Sequence, residues 1–237
     1  MKDDYFILVY YGLPLIGLAI TALAQLFIKT NYSKYKDIVI DSRERGSDVA
    51  RKILDKHGLN NVRVEEVRGQ LSDHYDPKDR VVRLSSEIYF GSSIASVAVA
   101  AHECGHAIQD KVGYGPMKIR SKLVPIVNIT TKVGYFVVII GLIFGFLNLA
   151  AIGIILLCAM LLFQLVTLPV EFNASKRGKE ELKKLNVLNE SETGGAAKML
   201  MAAAFTYVAA VLSTLLQIIR LILMISSAGS SKLVATA

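Results

Sequence analysis

His102-Glu103-Cys104-Gly105-His106 is an HExxH pentapeptide. On an α-helix, residues four apart project only about 40° from each other, so both imidazoles can reach one metal ion while Glu103 is placed to hold a water. Only 4 histidines occur in the chain, and two of them stand in this arrangement. The apolar approach Ile94, Val97, Ala98 and Ala101 has helical spacing, which predicts a helix from about Ser92 to Gln109. Gly105 removes bulk where another backbone could come close.

Two neutral imidazoles suit zinc better than magnesium or calcium, which prefer oxygen cages. A catalytic zinc needs a third protein ligand with water in the fourth position. His57, His74 and a downstream carboxylate are the candidates. Among the carboxylates Glu171 stands out, because it directly follows an apolar run ending Leu168-Pro169-Val170. Two membrane crossings between residues 106 and 171 would put Glu171 on the same side as the HExxH helix. A single crossing would put it on the opposite side.

Those crossings follow from composition. The chain has 237 residues, 53% hydrophobic and 20% charged, with 27 Lys+Arg against 20 Asp+Glu for a net charge of +7. So much apolar material excludes a disordered chain, and two cysteines cannot build a disulfide scaffold. A mean hydropathy of +0.45 points to apolar surface facing lipid. From Tyr5 to Ile28 there is no charge, and 24 helical residues rise roughly 36 Å, enough to cross the hydrocarbon core. Lys2 is offset by Asp3 and Asp4, and Lys29, Lys34 and Lys36 follow the run, the pattern of an uncleaved span rather than of a signal peptide. The uncharged stretch from Val133 to Val170 is too long for one crossing. It reads as a helical hairpin, 125–147 and 149–170, turning near Asn148. A fourth span covers 197–225, with Lys198 and Arg220 placed to snorkel and small residues such as Ala202, Ala203 and Ala209 allowing close helix approach.

Charge then orients the chain. Residues 29–123 hold 17 of the 27 basic residues and 172–196 hold five more, against Lys2, Arg220 and Lys232 near the opposite ends. By the positive-inside rule both basic loops are cytoplasmic, which puts the HExxH helix and Glu171 in the cytoplasm and the charge excess to orienting use; no nucleic-acid partner is expected. The loop 29–123 forms a small α+β domain. It has a helix from Ser47 to Lys56 closed by His57-Gly58, a strand at Val62–Val67, and an extended pair Leu71–Tyr75 and Arg80–Leu84 around the turn Asp76-Pro77-Lys78-Asp79.

Three stretches now carry a resemblance: Leu71-Ser72-Asp73-His74-Tyr75-Asp76-Pro77, Ala100-Ala101-His102-Glu103-Cys104-Gly105-His106-Ala107-Ile108-Gln109-Asp110, and Phe163 through Ser175 with its Leu168-Pro169-Val170-Glu171-Phe172-Asn173-Ala174-Ser175. Together they resemble the membrane-bound neutral zinc metallopeptidases of bacteria, the YugP-like family, related to the HtpX-type and CAAX-type gluzincins. The resemblance covers almost the whole chain. It implies an α-helical membrane protein with four transmembrane helices and a small zincin-like α+β protease domain, in a bacterial cell membrane. It implies Zn2+ held by His102, His106 and Glu171, with Glu103 as general base, hydrolysing a protein or peptide substrate in or near the bilayer. Two positions depart from that pattern: Cys104 stands where a small aliphatic is expected, and Ser175 where the wider gluzincins often carry Asp, a partner that would orient a ligand histidine.

His74, Tyr75, Tyr114 and Arg177 are candidates for substrate or oxyanion contacts, and the Leu71–Tyr75 segment is the candidate edge for an extended substrate. The remaining special residues read simply. Cys104 lies about 200° round the helix from His102 and packs. His57 is a cation at a helix C-terminus. Cys158 packs in the membrane, and Tyr5, Tyr10 and Tyr11 form an interfacial belt. Two other functions compete with the peptidase: an intramembrane protease, since Ile94–Ile108 is apolar, and a non-catalytic scaffold or sensor that keeps zinc for structure.

Overall fold

The computed structural model describes residues 2–235, with side-chain surroundings for 5–227. The side chains of Lys2 and Lys232, which entered the charge argument, lie outside the described residues. The elements in order are α1 (Lys2–Ile7), a π-helical turn (Leu8–Gly12), α2 (Leu13–Tyr35), α3 (Gly46–Lys56), β1 (Arg63–Val67), β2 (His74–Asp76), β3 (Val81–Ser85), α4 (Ser86–Phe90), α5 (Ile94–Lys111), α6 (Gly115–Ile143), α7 (Leu147–Lys184) and α8 (Glu190–Ala235). The protein is thus mostly helical with one small sheet. Tyr5–Tyr35, Gly115–Ile143, Leu147–Lys184 and Glu190–Ser227 are long and apolar enough to cross a membrane. The chain divides into two compact units.

One unit takes the N-terminal residues up to Ala24, Ile119–Thr167 and the chain from Tyr207 onward. It holds the apolar lengths of the long helices. Val138, Ile154, Leu157, Ile218 and Leu221 form a small internal cluster, while Leu15, Leu18, Ile129, Phe136 and Ile155 stay exposed. A water-facing surface would not tolerate so continuous an apolar face, whereas lipid does. α2 meets α8 through Ser213, whose hydroxyl donates to the Gly17 carbonyl at 3.0 Å and lies 2.9 Å from the Thr21 hydroxyl. The reversal between α6 and α7 falls at Phe144–Phe146 around Gly145, with φ +68°, and not at Asn148. A tight reversal needs a residue that enters the left-handed region freely, and glycine does so, while Asn148 sits helical in the first turn of α7. The spans expected at 149–170 and 197–225 lie within longer helices, α7 running on to Lys184, whereas α6 begins earlier than the span expected at 125–147 and ends at Ile143, short of it. Cys158 points outward from its helix rather than packing against protein.

The other unit, Gln25–Lys118 with Leu168–Thr206, contains the sheet and the HExxH helix. The strand order is β1-β3-β2, with β1 parallel and β2 antiparallel to β3. β3 is buried at Val81, Val82, Leu84 and Ser85, which is why it reads as a nearly continuous apolar run suited to the centre of the sheet. β2 is an edge strand, and shorter than expected. Leu71 lies outside it with φ +54°, and the Asp73 carboxylate accepts the Ser85 N–H at 2.7 Å, the donor that a longer ladder would use.

α3 buries Val49, Ala50, Ile53 and Leu54, one apolar face at helical spacing, and packs it on α5. Ile53 and Leu54, fully buried, are worth roughly 1.5–3 kcal/mol each. α5 starts at the N-cap Ser93, whose hydroxyl accepts the Ser96 N–H at 3.1 Å. Beyond that cap it is buried on almost every side, among α3, the sheet and neighbouring helices. Such a helix is a rigid mount for polar groups.

Candidate metal centre

Two i,i+4 rows lie side by side where α5 meets α7. The first is a row of small residues, Ala101 and Gly105 on α5 against Ala174 and Gly178 on α7. A Cβ on Gly105 would stand 2.4 Å from the Ala174 carbonyl oxygen, and one on Gly178 would stand 2.8 Å from the Ala101 carbonyl. No side chain larger than hydrogen fits at either point, so the backbones meet directly. The second row is polar, His102 and His106 on α5 and Glu171 and Ser175 on α7. Close contact of the first row brings the second together.

His102 Nε2 lies 3.3 Å and His106 Nε2 lies 3.6 Å from the same oxygen, Glu171 Oε2. The two rings are nearly perpendicular, with centroids 4.8 Å apart. One donor atom from each of the three residues falls within 4.8 Å of the others, the one such group of histidine, cysteine or carboxylate ligands among the described residues. Glu171 is 2% exposed, and His106 is also buried. Bonds of about 2.0–2.1 Å in a tetrahedron put ligand atoms about 3.3–3.4 Å apart, so two imidazoles and one carboxylate at these separations fit zinc. Three protein donors leave one position open.

Each histidine turns its other nitrogen to a partner. His102 Nδ1 is 3.1 Å from the Ser175 hydroxyl, so serine occupies the orienting place where an aspartate was the expected pattern. His106 Nδ1 is 3.0 Å from Gln109 Oε1. Burial pulls the His106 pKa down, but the Glu171 carboxylate, the charge of Glu103 and the bond to Gln109 outweigh it and hold the pKa above the ordinary histidine value. Glu103 is buried beside the pair, and its carboxylate makes no hydrogen bond to another described residue.

Gln109 and Asn173 escaped the sequence reading as site residues. Gln109 lies three residues after His106 and is fully buried. Its amide donates to the Val170 carbonyl at 2.7 Å and to Asn173 Oδ1 at 3.1 Å. Asn173 Oδ1 also accepts from Arg177 Nε at 2.7 Å. A polar residue one turn beyond the motif, in an otherwise apolar helix, was the available signal.

The other candidates are elsewhere or otherwise engaged. His57 caps α3 and reaches Glu181 Oε2 at 3.3 Å, where Lys56 and Lys184 also converge. His74 is exposed on β2, with Nδ1 2.7 Å from the Ser72 carbonyl. Tyr75 donates its hydroxyl to Asp110 at 2.9 Å, and burial together with that carboxylate pushes its pKa up. Tyr114 points its hydroxyl at the Pro169 carbonyl, 3.5 Å away. Cys104 is buried with its thiol toward the Ala50 carbonyl, and burial raises its pKa; it packs on the face of α5 away from the histidines.

The family model described as "Putative neutral zinc metallopeptidase" matches residues 10–226. A curated relative, "Putative membrane protease YugP" of Bacillus subtilis (strain 168), is 44% identical over 216 residues, which span 91% of this chain and 96% of that protein. No solved structure matches the chain.

Proposed function

Because the chain belongs to the "Putative neutral zinc metallopeptidase" family, we propose that it is an integral-membrane zinc endopeptidase of the gluzincin type, with His102, His106 and Glu171 as ligands and Glu103 as general base. The observation that carries this reading is the convergence of both histidine Nε2 atoms on one Glu171 oxygen. When bound, zinc supplies Lewis acidity toward the scissile carbonyl and the attacking water.

The rest of the chemistry belongs to the chain. Glu103 takes the proton from the water as it attacks the peptide carbonyl and delivers it to the leaving amine nitrogen, which breaks the C–N bond and regenerates the carboxylate. Glu171 offsets part of the ion's charge and, held by α7, keeps the two imidazoles in register. An extended substrate pairs with the open side of β2, narrowed here to His74–Asp76. Of the oxyanion candidates, Arg177 keeps its terminal guanidinium nitrogens without a hydrogen bond to a described residue, while Tyr75 has committed its only proton. The zincin-like α+β arrangement and the cytoplasmic placement of the site, argued from charge, are parts of the same proposal.

The competing functions draw less support. An intramembrane protease would need α5 in the bilayer, yet α5 packs on α3 and the sheet and is not among the four apolar helices. A structural zinc would need a fourth protein ligand, and the described residues offer three.

Metal analysis of the purified protein beside Glu171→Ala and His74→Ala tests the ligand set. One zinc per chain in the wild type and in His74→Ala, with loss in Glu171→Ala, is the expected result. Loss in His74→Ala with retention in Glu171→Ala would replace the third ligand.

A further inference from the structure

We propose that the groove between α7 and α8 binds an anionic phospholipid, with its acyl chain lying along the groove and its phosphate held by Lys176 and Lys179. The proposal rests on the reading of the chain as an integral-membrane protein. α7 lines the groove with Phe172, Ser175, Lys176 and Lys179, and α8 lines it with small or apolar residues within 197–204. Both sets follow the i, i+3, i+4, i+7 spacing of one helix face, so the groove runs along the two helices for about two turns, roughly 10 Å. All of these residues belong to the unit that contains the sheet.

The order of chemistry along the groove identifies its occupant. The connection between the helices, 185–189, is short, so they run antiparallel. Lys179 and Ala197 are the lining residues nearest that connection in sequence, and Phe172 and Ala204 are the furthest from it. At the far end each helix passes into its uncharged run, 133–170 on the way into α7 and 199–219 along α8. At the near end stand two ammonium groups. A phospholipid has the same order, a chain toward the middle of the bilayer and a phosphate at its edge. An apolar peptide segment would also suit the walls, but it has no need of cations at one end.

Both kinds of group are available to a ligand. Lys176 and Lys179 are three positions apart on one face of α7, and both are exposed. Among the described residues Lys179 has no ion-pair partner, and Lys176 has only Glu180 Oε1 at 4.0 Å, with both side chains well solvated. Such a pair contributes little. Phe172 is 47% and Met201 49% exposed, apolar surface that an acyl chain would cover. Ser175 lines the groove and also stands 3.1 Å from His102 Nδ1, so the lipid seat and the candidate metal centre share a side chain.

The chain contains no tryptophan, so one introduced indole reports on one place. Phe172→Trp, in the groove, is compared with Phe136→Trp, on an exposed apolar face of α6. Each full-length protein is placed in phosphatidylcholine vesicles that carry either brominated phosphatidylglycerol or brominated phosphatidylcholine at the same mole fraction, and quenching of the indole by bromine is measured. The Phe172→Trp reporter is expected to prefer phosphatidylglycerol by about fivefold for each lysine, the factor that roughly 1 kcal/mol per basic residue gives. Lys176→Gln and Lys179→Gln are each expected to remove about fivefold. Lys183→Gln, exposed on the same helix but outside the groove, is expected to leave the preference unchanged, and Phe136→Trp is expected to be quenched alike by both lipids. Equal quenching of the Phe172→Trp reporter by the two lipids would overturn the proposal. An equal loss in Lys183→Gln would also overturn it, by assigning the preference to the basic surface at large. Quenching of Phe136→Trp with none of Phe172→Trp would overturn it in favour of a protein segment over the groove. No quenching of Phe136→Trp would overturn the membrane placement itself, and the lipid site with it.

Discussion

Glu171 brings a carboxylate to a place where only 2% of its surface is exposed, and an anion so deeply buried must be met by cations or a metal. Two imidazoles on its Oε2 meet that demand in either of two ways. Without metal the carboxylate favours the protonated His106 ring; as ligands to zinc both rings must be neutral. The pH dependence follows from His106, whose folded-state pKa is raised. In the metal-free protein its contribution to stability is fully present below the unfolded value of about 6.5 and is lost as pH rises through the higher folded value. Thermal unfolding of the metal-free protein is therefore expected to give a falling Tm as pH increases across that window. Zinc affinity is expected to rise over the same window, because binding displaces the proton. Replacing His106 by Ala should remove the Tm trend, and a trend of the same size in that variant would assign it to another group.

The element-scale requirement is the contact of α5 with α7. Gly105→Ala would set a methyl group 2.4 Å from the Ala174 oxygen, a backbone atom that cannot swing aside. The helices must separate, and overpacking of this kind costs about 1–3 kcal/mol. A lowered Tm and loss of zinc are the expected measurements for Gly105→Ala and Gly178→Ala. Gly194→Ala, with nothing within 4 Å of the added methyl, should change neither. The HExxH helix was legible in the sequence because the i,i+4 spacing is itself the chemistry, and Gly105 was legible as a site of close approach. Glu171 became legible through the membrane hairpin. Gln109 was not, since the bonds that give it meaning run to Val170 and Asn173, more than sixty positions away. Asn148 misled because polarity marks a break in an apolar run, while the turn itself needs positive φ and therefore Gly145. Leu71 misled in the same manner: its apolar character suits a strand, and its backbone is left-handed.

For the whole molecule, the mean hydropathy resolves into four apolar helices among the described residues. The proposed orientation is checked with single cysteines in a background of Cys104→Ala and Cys158→Ala. Lys78→Cys, in the exposed turn before β3, is expected to react with a membrane-impermeant reagent only after the cells are opened. Phe144→Cys, at the exposed turn between α6 and α7, is expected to react in intact cells. The reverse pattern would place the site on the outer face.

The most direct test of the peptidase itself is Glu103→Gln, measured for zinc and for cleavage in one preparation. The substitution keeps the size of the side chain and removes the proton acceptor. One zinc per chain with hydrolysis of a peptide substrate reduced by about 10²–10⁴-fold is the expected result. Unchanged hydrolysis by the zinc-loaded variant would contradict the assignment of Glu103, and with it the proposed chemistry of the site.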